Sequence, residues 1–398
     1  MSTMKNNNYV IIGSSAAGIG AAAKLRDLDQ TSTITCLTAE SVPPYNRCLL
    51  ADVLATKKTA ASIGLKGAST FTEKNIALRL NSFVESIDTK NQRVLVADGQ
   101  SVPYDKLLIA TGRSSWMPDI PGNTLPGVMS FYGLTDVEAI TNYITTHASK
   151  NIVIVGAGLT GLECADALTS FAPRITVIER TSRVLPSQLN NDGSTFLIGL
   201  AHTQGITILP ETTITAIEGI GCVQQVQLST NEALPADMVI FAIGGKTNSQ
   251  LGASAGLVLH NNAIDVNNRQ QTSQEHIYAA GDVATVIDQV SMQKTQNCLW
   301  PDAVMQGIVA ANNMTGNEKQ YAGTVLVTSS TIFGITFVTA GAIAQPPAGL
   351  KLLVKQTPAF YHAFLTDTNN ILKGFALVGN VDNIGALRKK LLEKTPLF

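Results

Sequence analysis

The sequence predicts an α/β protein with two Rossmann-like dinucleotide-binding domains and a small α+β C-terminal domain. Three observations carry this. A unit of strand, small-residue turn, helix, strand and acid occurs twice. The composition, 45% apolar against 14% charged with 32 Gly and few aromatics, suits sheets covered on both faces. Apolar-rich runs at 360–365 and 372–378, with a helical pattern over 383–394, form a separate group near the C-terminus.

In the first unit a short apolar strand at 9–12 enters the turn Gly13-Ser14-Ser15-Ala16-Ala17-Gly18, and an Ala-rich helical stretch follows over 19–28. A second strand at 34–37 leads to Glu40. In the second unit the strand at 152–155 enters Gly156-Ala157-Gly158-Leu159-Thr160-Gly161, a helix is expected from 162 to 171, and the strand at 175–178 meets Glu179 directly. The spacing has a physical reading: the first Gly permits a tight turn, the second lets backbone approach pyrophosphate, and the third lets the helix pack closely on the strand. The helix N-terminus then faces the phosphates, and an acid about twenty residues on accepts hydrogen bonds from a ribose. Ser15 occupies the middle glycine position of the first unit. Its β-carbon would crowd a phosphate, whereas its small size and hydroxyl would accommodate one.

The 398 residues exceed one ordinary core, so two or three domains are expected. A net charge of -1 supplies no basic field for nucleic acid or an anionic membrane. The polar first eight residues lack a secretory apolar stretch, and no run approaches the roughly 18 apolar residues of a membrane span, so a cytoplasmic protein is expected. Cys36, Cys48, Cys164, Cys222 and Cys298 include no C-x-x-C pair, and neither a disulfide framework nor a metal site is indicated.

Three further stretches make the reading specific. Leu107-Leu108-Ile109-Ala110-Thr111-Gly112, the strand 237–245 ending in Gly244-Gly245, and Ile277-Tyr278-Ala279-Ala280-Gly281-Asp282 resemble, in order, segments of the FAD/NAD-linked pyridine nucleotide-disulfide oxidoreductases related to glutathione reductase. Pro43-Pro44-Tyr45-Asn46-Arg47 and the short tail resemble the NADH-rubredoxin reductase branch and the nicotinamide-binding part of nitrite reductases. The resemblance spans nearly the whole chain. It implies a discontinuous FAD-binding domain (1–114 and 245–322), an inserted NAD-binding domain (115–244) and a C-terminal domain (323–398). The Pro/Gly-rich stretch 118–127 suits a crossing between domains.

The resemblance also implies roles. Gly13, Ser15, Ala16, Ala17 and Gly18 would line the FAD pyrophosphate and Glu40 its ribose, while Arg47 either contacts that pyrophosphate or is a solvated loop residue. Thr111 and Gly112 follow the first module, Gly244 marks the return from the second, and Gly281 and Asp282 face flavin phosphate and ribitol. Gly156, Gly158, Gly161 and Glu179 would hold NADH, Glu179 disfavouring the 2′-phosphate of NADPH. Arg180 and Arg183 read as solvated charges or as a phosphate clamp. Glu163 reads either as a group near nicotinamide or as a favourable acid in the first helical turn. The Lys that pairs with this Glu in many ferredoxin-reductase relatives is replaced here by Asp52. Trp300-Pro301 opens a helix whose N-terminus would face the flavin, with Trp300 beside the ring or buried between domains.

Cys48 divides the mechanisms. Dithiol relatives carry a second cysteine that this sequence lacks, so Cys48 reads as an inert packed thiol or as the single redox cysteine of peroxidase-like relatives. The leading expectation is therefore an enzyme passing electrons from NADH through FAD to a small iron-containing protein such as rubredoxin or ferredoxin. A peroxide or disulfide reductase or NADH oxidase using Cys48 is the alternative, and an NADH-sensing FAD-binding interaction protein the non-enzymatic one. Monomer and homodimer are both compatible with the sequence.

Overall fold

A computed structural model describes residues 6–65, 71–171 and 173–398. The chain divides into two compact units, one drawn from Met1–Cys48, Ala61–Ser114 and Lys246–Thr324, the other from Leu49–Ala60, Ser115–Gly245 and Val325–Phe398.

The first unit is organised by a five-stranded parallel sheet in the order Ile277–Ala279, Lys106–Ile109, Asn8–Ile12, Thr33–Leu37, Ala77–Arg79. Consecutive strands Asn8–Ile12 and Thr33–Leu37 pair in register from Asn8 with Thr33 to Ile12 with Leu37. Parallel neighbours need a crossover, and helix Ala16–Leu28 supplies it. Alternate strand residues serve opposite faces. Tyr9, Ile11, Ile34, Cys36 and Leu108 pack under that helix together with Ala310, Ala311 and Met314 of helix Trp300–Met314. Val10, Ile12, Leu37, Leu107 and Ile109 face the other way, onto Val84, Val94 and Val102 of the antiparallel meander Val84–Asp88, Arg93–Val96, Ser101–Pro103.

The second unit repeats the plan. Its parallel sheet runs Ile206–Leu209, Arg174–Ile178, Asn151–Val155, Met238–Phe241, Val128–Ser130, with a meander of Ile214–Glu218, Gln225–Leu228 and Ala233–Pro235. The same unit contains an antiparallel sheet in the order Val327–Ile332, Ile335–Gly341, Leu372–Val378, Phe360–Thr366, Lys351–Thr357, followed by helix Ile384–Glu393. Fully buried Tyr361 of that sheet donates its hydroxyl to Asn190 Oδ1 at 2.8 Å, and Asn190 in turn caps helix Asn191–Thr203.

Both motif helices begin three residues earlier than the apolar periodicity suggests, at Ala16 and Leu159. Residues 16–18 and 159–161 already have helical backbone, but Leu159 is the one large apolar side chain among them, too little to register in a hydrophobic pattern. The second helix ends at Leu168 and tightens into a 3-10 turn over Thr169–Phe171.

Candidate functional site

In each module the central strand lies between a neighbour formed next in the chain and one formed much later, so strand order reverses there. The crevice at the carboxyl end of such a strand is where open α/β sheets bind ligands. The glycine-rich turns sit at that end. Gly13 and Gly156 have φ of +107° and +105°, and a β-carbon on them would strike the carbonyls of Ala110 and Ala242. A β-carbon on Gly18 or Gly161 would strike the carbonyl of Gly13 or Gly156 within its own turn. Only glycine fits these four positions.

The middle position differs. Gly158 is the N-cap of its helix at φ −75°, ψ −178°, and a β-carbon there meets nothing within 4 Å. Ser15, the N-cap of the first helix, has nearly the same backbone, φ −85°, ψ −159°. A β-carbon at this position thus meets no atom of the chain, and the space it faces is the space a phosphate would take. The Ser15 hydroxyl does not cap its own helix, Gly158 has no side chain to offer, and neither helix has an acid in its first turn.

Around the first turn, Arg47 pairs with Glu40 and stacks over Tyr45, its guanidinium carbon 5.1 Å from the ring centroid. Burial pushes the Asp282 carboxyl up, and Arg113, the Cys298 thiol and Arg47 oppose that shift. Two guanidinium groups thus act on one carboxylate. Arg113 also donates to Cys298 Sγ at 3.0 Å. Desolvation, reinforced by the charge of Asp282, raises the Cys298 thiol against the pull of Arg113, so the neutral thiol is favoured. Thr111 and Asn248 bond reciprocally, each side chain donating to the other's carbonyl at 2.9 Å. Gly281 has φ +78° and donates its N–H to Gln306 Oε1 at 2.7 Å. Trp300 is half-buried against the core of the first unit, at the start of helix Trp300–Met314.

Around the second turn, Glu179 is 8% exposed and wholly engaged. One carboxylate oxygen accepts from the Ala157 amide at 2.8 Å, and the other from the Thr181 amide and hydroxyl at 2.7 and 2.8 Å. Gly244 has φ +91°. Arg183 donates to Asn191 Oδ1 and to the carbonyls of Pro186 and Ala344, so it is tied to the chain rather than a solvated charge. Arg180 is exposed.

Two readings of single residues need correction. Glu163 is the fifth residue of helix Leu159–Leu168, past the first turn, so the dipole account fails. Cys48, in the 3-10 turn Arg47–Leu49, is exposed rather than packed. Its amide donates to Asn46 Oδ1 at 3.0 Å. Sequence reasoning missed Gly20 and Gly307, where the two helices of the first unit cross closely, and it missed Asn248, Gln306 and Ser330. A small residue every turn at the crossing was the available signal for the glycines. The polar partners carried none.

A pair of open parallel sheets, each with a glycine turn at its switch point and one with a carboxylate and two arginines beside it, defines a two-nucleotide α/β oxidoreductase. The chain belongs to the pyridine nucleotide-disulphide oxidoreductase family, whose model matches residues 7–307. It is 32% identical over 318 residues to an NADH oxidase of Methanocaldococcus jannaschii, covering 78% of this chain and 71% of that one. It is 34% identical over 277 residues to a rubredoxin-NAD(+) reductase of Pseudomonas putida, covering 69% and 71%. Against the assimilatory nitrate reductase electron transfer subunit of Bacillus subtilis it is 30% identical over 395 residues, 98% of this chain but half the length of that relative. Among solved structures, a NAD-dependent persulfide reductase from A. fulgidus aligns with a TM-score of 0.91 at 26% identity, covering 98% of this chain and 77% of that one. The chain is an FAD-dependent NADH oxidoreductase. Among the described residues no helix is long and apolar enough to cross a membrane.

Proposed function

We propose that the chain passes electrons from NADH through FAD to a small iron-containing protein of the rubredoxin or ferredoxin class. The observation that carries this is its 34% identity to a rubredoxin-NAD(+) reductase, joined to a sequence that contains no C-x-x-C pair. The fine division of labour belongs to the same proposal: an FAD-binding domain of 1–114 and 245–322, an NAD-binding domain of 115–244, and a small α+β domain of 323–398.

The residues of the first unit fit FAD. The uncapped amides of Ser15, Ala16 and Ala17, between Gly13 and Gly18, suit a pyrophosphate, and the charge of Arg47 reaches Asp282, whose neighbour Gly281 lies against Ala17 of that turn. Glu40 would serve the ribose, exchanging its Arg47 partner for hydroxyls. Asp282 would accept from ribitol hydroxyls, with Gly281, Thr111, Gly112 and Trp300 completing the walls. Bound FAD supplies an acceptor that takes a hydride and releases electrons singly. In the second unit Gly156, Gly158 and Gly161 present backbone to the NADH pyrophosphate. Glu179 holds the turn through Ala157 and turns its charge against a 2′-phosphate. Glu163 lies toward the nicotinamide end and Gly244 at the exit of that module. No side chain must transfer a proton during hydride transfer, so the chain's work is orientation and electrostatics.

The exposure of Cys48 favours one second reading, a thiol-dependent reductase or oxidase in which its thiolate attacks the substrate. An NADH-driven acceptor screen with stopped-flow monitoring of flavin absorbance separates the two. Rapid reoxidation by rubredoxin or ferredoxin, unaltered in Cys48→Ser, is expected. Turnover only with peroxide or disulfides, lost in Cys48→Ser, would reverse the assignment.

A further inference from the structure

Glu163 has surroundings that its place in the motif does not explain. Ser330, on strand Val327–Ile332, donates its hydroxyl to Glu163 Oε1 at 2.5 Å. Ser330 lies beyond the residues matched by the family model. Burial raises the Glu163 carboxyl above the usual range. The Ser330 hydrogen bond opposes that, and the charges of Asp52 and Asp166 add to it.

The other elements packed on this helix contribute little charge. Strand Asn151–Val155, the turn Thr169–Phe171 and strand Val327–Ile332 carry no ionisable side chain, and Arg174 of strand Arg174–Ile178 is exposed. Helix Leu50–Leu54 brings Asp52. Lys57, which follows it, acts on Asp166. The thiol of buried Cys164 is itself pushed up and stays neutral. Where an ammonium would hold Glu163 ionised at all working pH, a second carboxylate stands instead.

We propose that Ser330 is a positioning residue for Glu163, and that Ser330 and Asp52 together make Glu163 a titrating group that favours the cationic ring of NAD+ over the neutral ring of NADH only when ionised. This rests on the reading that Glu163 lies at the nicotinamide end of the NAD site. Loss of hydride from C4 of NADH, with the electron pair of the C4–H bond going to an FAD held by the first unit, would leave the nicotinamide ring a cation. A fixed carboxylate stabilises that developing charge, and a neutral carboxyl does not. Ionised Glu163 is therefore the productive form, favoured by rising pH and by Ser330, and disfavoured by burial and Asp52.

Equilibrium binding to the holoenzyme across pH tests this with two ligands, NAD+ and the non-reducing neutral-ring analogue 1,4,5,6-tetrahydro-NAD. NAD+ affinity is expected to rise about three- to tenfold through a one-proton transition above the usual carboxylate range, while the neutral analogue stays flat. Asp52→Asn moves that transition to lower pH, Ser330→Ala moves it to higher pH, Ser330→Thr restores it, and Glu163→Gln abolishes it. A transition that disappears in Glu163→Gln yet ignores both Asp52→Asn and Ser330→Ala would overturn the inference alone. A transition that survives in Glu163→Gln would overturn the placement of Glu163 as well.

Discussion

Replacing Gly307 by alanine tests how the first unit holds its nucleotide turn. Gly307 lies in helix Trp300–Met314 where it crosses helix Ala16–Leu28, and a β-carbon built on it would sit 2.1 Å from the Ala17 carbonyl oxygen, against the roughly 3.0 Å that real β-carbons respect. The obstacle is backbone, so no rotamer relieves it, and the helices must separate by about 0.9 Å at the crossing. A gap of that size forfeits a quarter to a half of the dispersion energy of the atoms lining it. Overpacking of this kind costs about 1–3 kcal/mol, and an immovable neighbour places Gly307→Ala near the upper figure. Ala17 belongs to the turn proposed to hold FAD, so part of the strain falls on the bound state. With 1.4 kcal/mol per factor of ten, FAD affinity is expected to drop at least about tenfold.

Urea denaturation of the apoprotein and FAD titration by flavin fluorescence read the two effects separately. Gly199→Ala is the matched control. Gly199 is exposed within helix Asn191–Thr203, its β-carbon would meet nothing within 4 Å, and helix propensity alone should stabilise it by up to about 1 kcal/mol. The same chemical change is thus expected to act with opposite sign at the two positions. Unchanged stability and FAD affinity in Gly307→Ala would refute the close crossing.

Glu179→Gln replaces an acceptor oxygen by a donor beside the Ala157 or Thr181 amide, which costs about 1.5–3 kcal/mol of folding stability and weakens NADH binding about tenfold. An unchanged ratio of NADH to NADPH dissociation constants would remove Glu179 as the discriminator. Ser15→Gly is expected to change FAD affinity less than about threefold, because the backbone there is ordinary for any residue, whereas Gly13→Ala should abolish FAD retention on gel filtration. Anaerobic titration of Cys48→Ser should consume one NADH per FAD, as the parent does under the electron-transfer reading. An extra reducing equivalent in the parent, lost in the variant, would count against it.

Much of this fold was legible because backbone demands leave marks on sequence. The motif strands at 9–12, 34–37, 152–155 and 175–178 were readable as apolar runs, and Gly13, Gly18, Gly156 and Gly161 as spacing. The strands Phe360–Thr366 and Leu372–Val378 and the helix Ile384–Glu393 also lie within a residue or so of their sequence patterns. Helix starts were not legible, because Ala16 to Gly18 and Leu159 to Gly161 have little hydrophobic periodicity to report. The partners of the site residues were least so. The bond from Ser330 to Glu163 spans 167 positions and that from Gly281 to Gln306 spans 25, and nothing local in either segment announces it.

The duplicated turn separates two requirements that a consensus motif merges. Its first and third glycines answer to the protein's own carbonyls, so any chain folding this way must keep them whether or not it still binds a nucleotide. The middle position answers only to what lies outside the turn, and the two modules have filled it differently. A sequence pattern that holds the outer glycines and frees the middle one would therefore detect the scaffold. The residue found at the middle would then carry the information about the ligand.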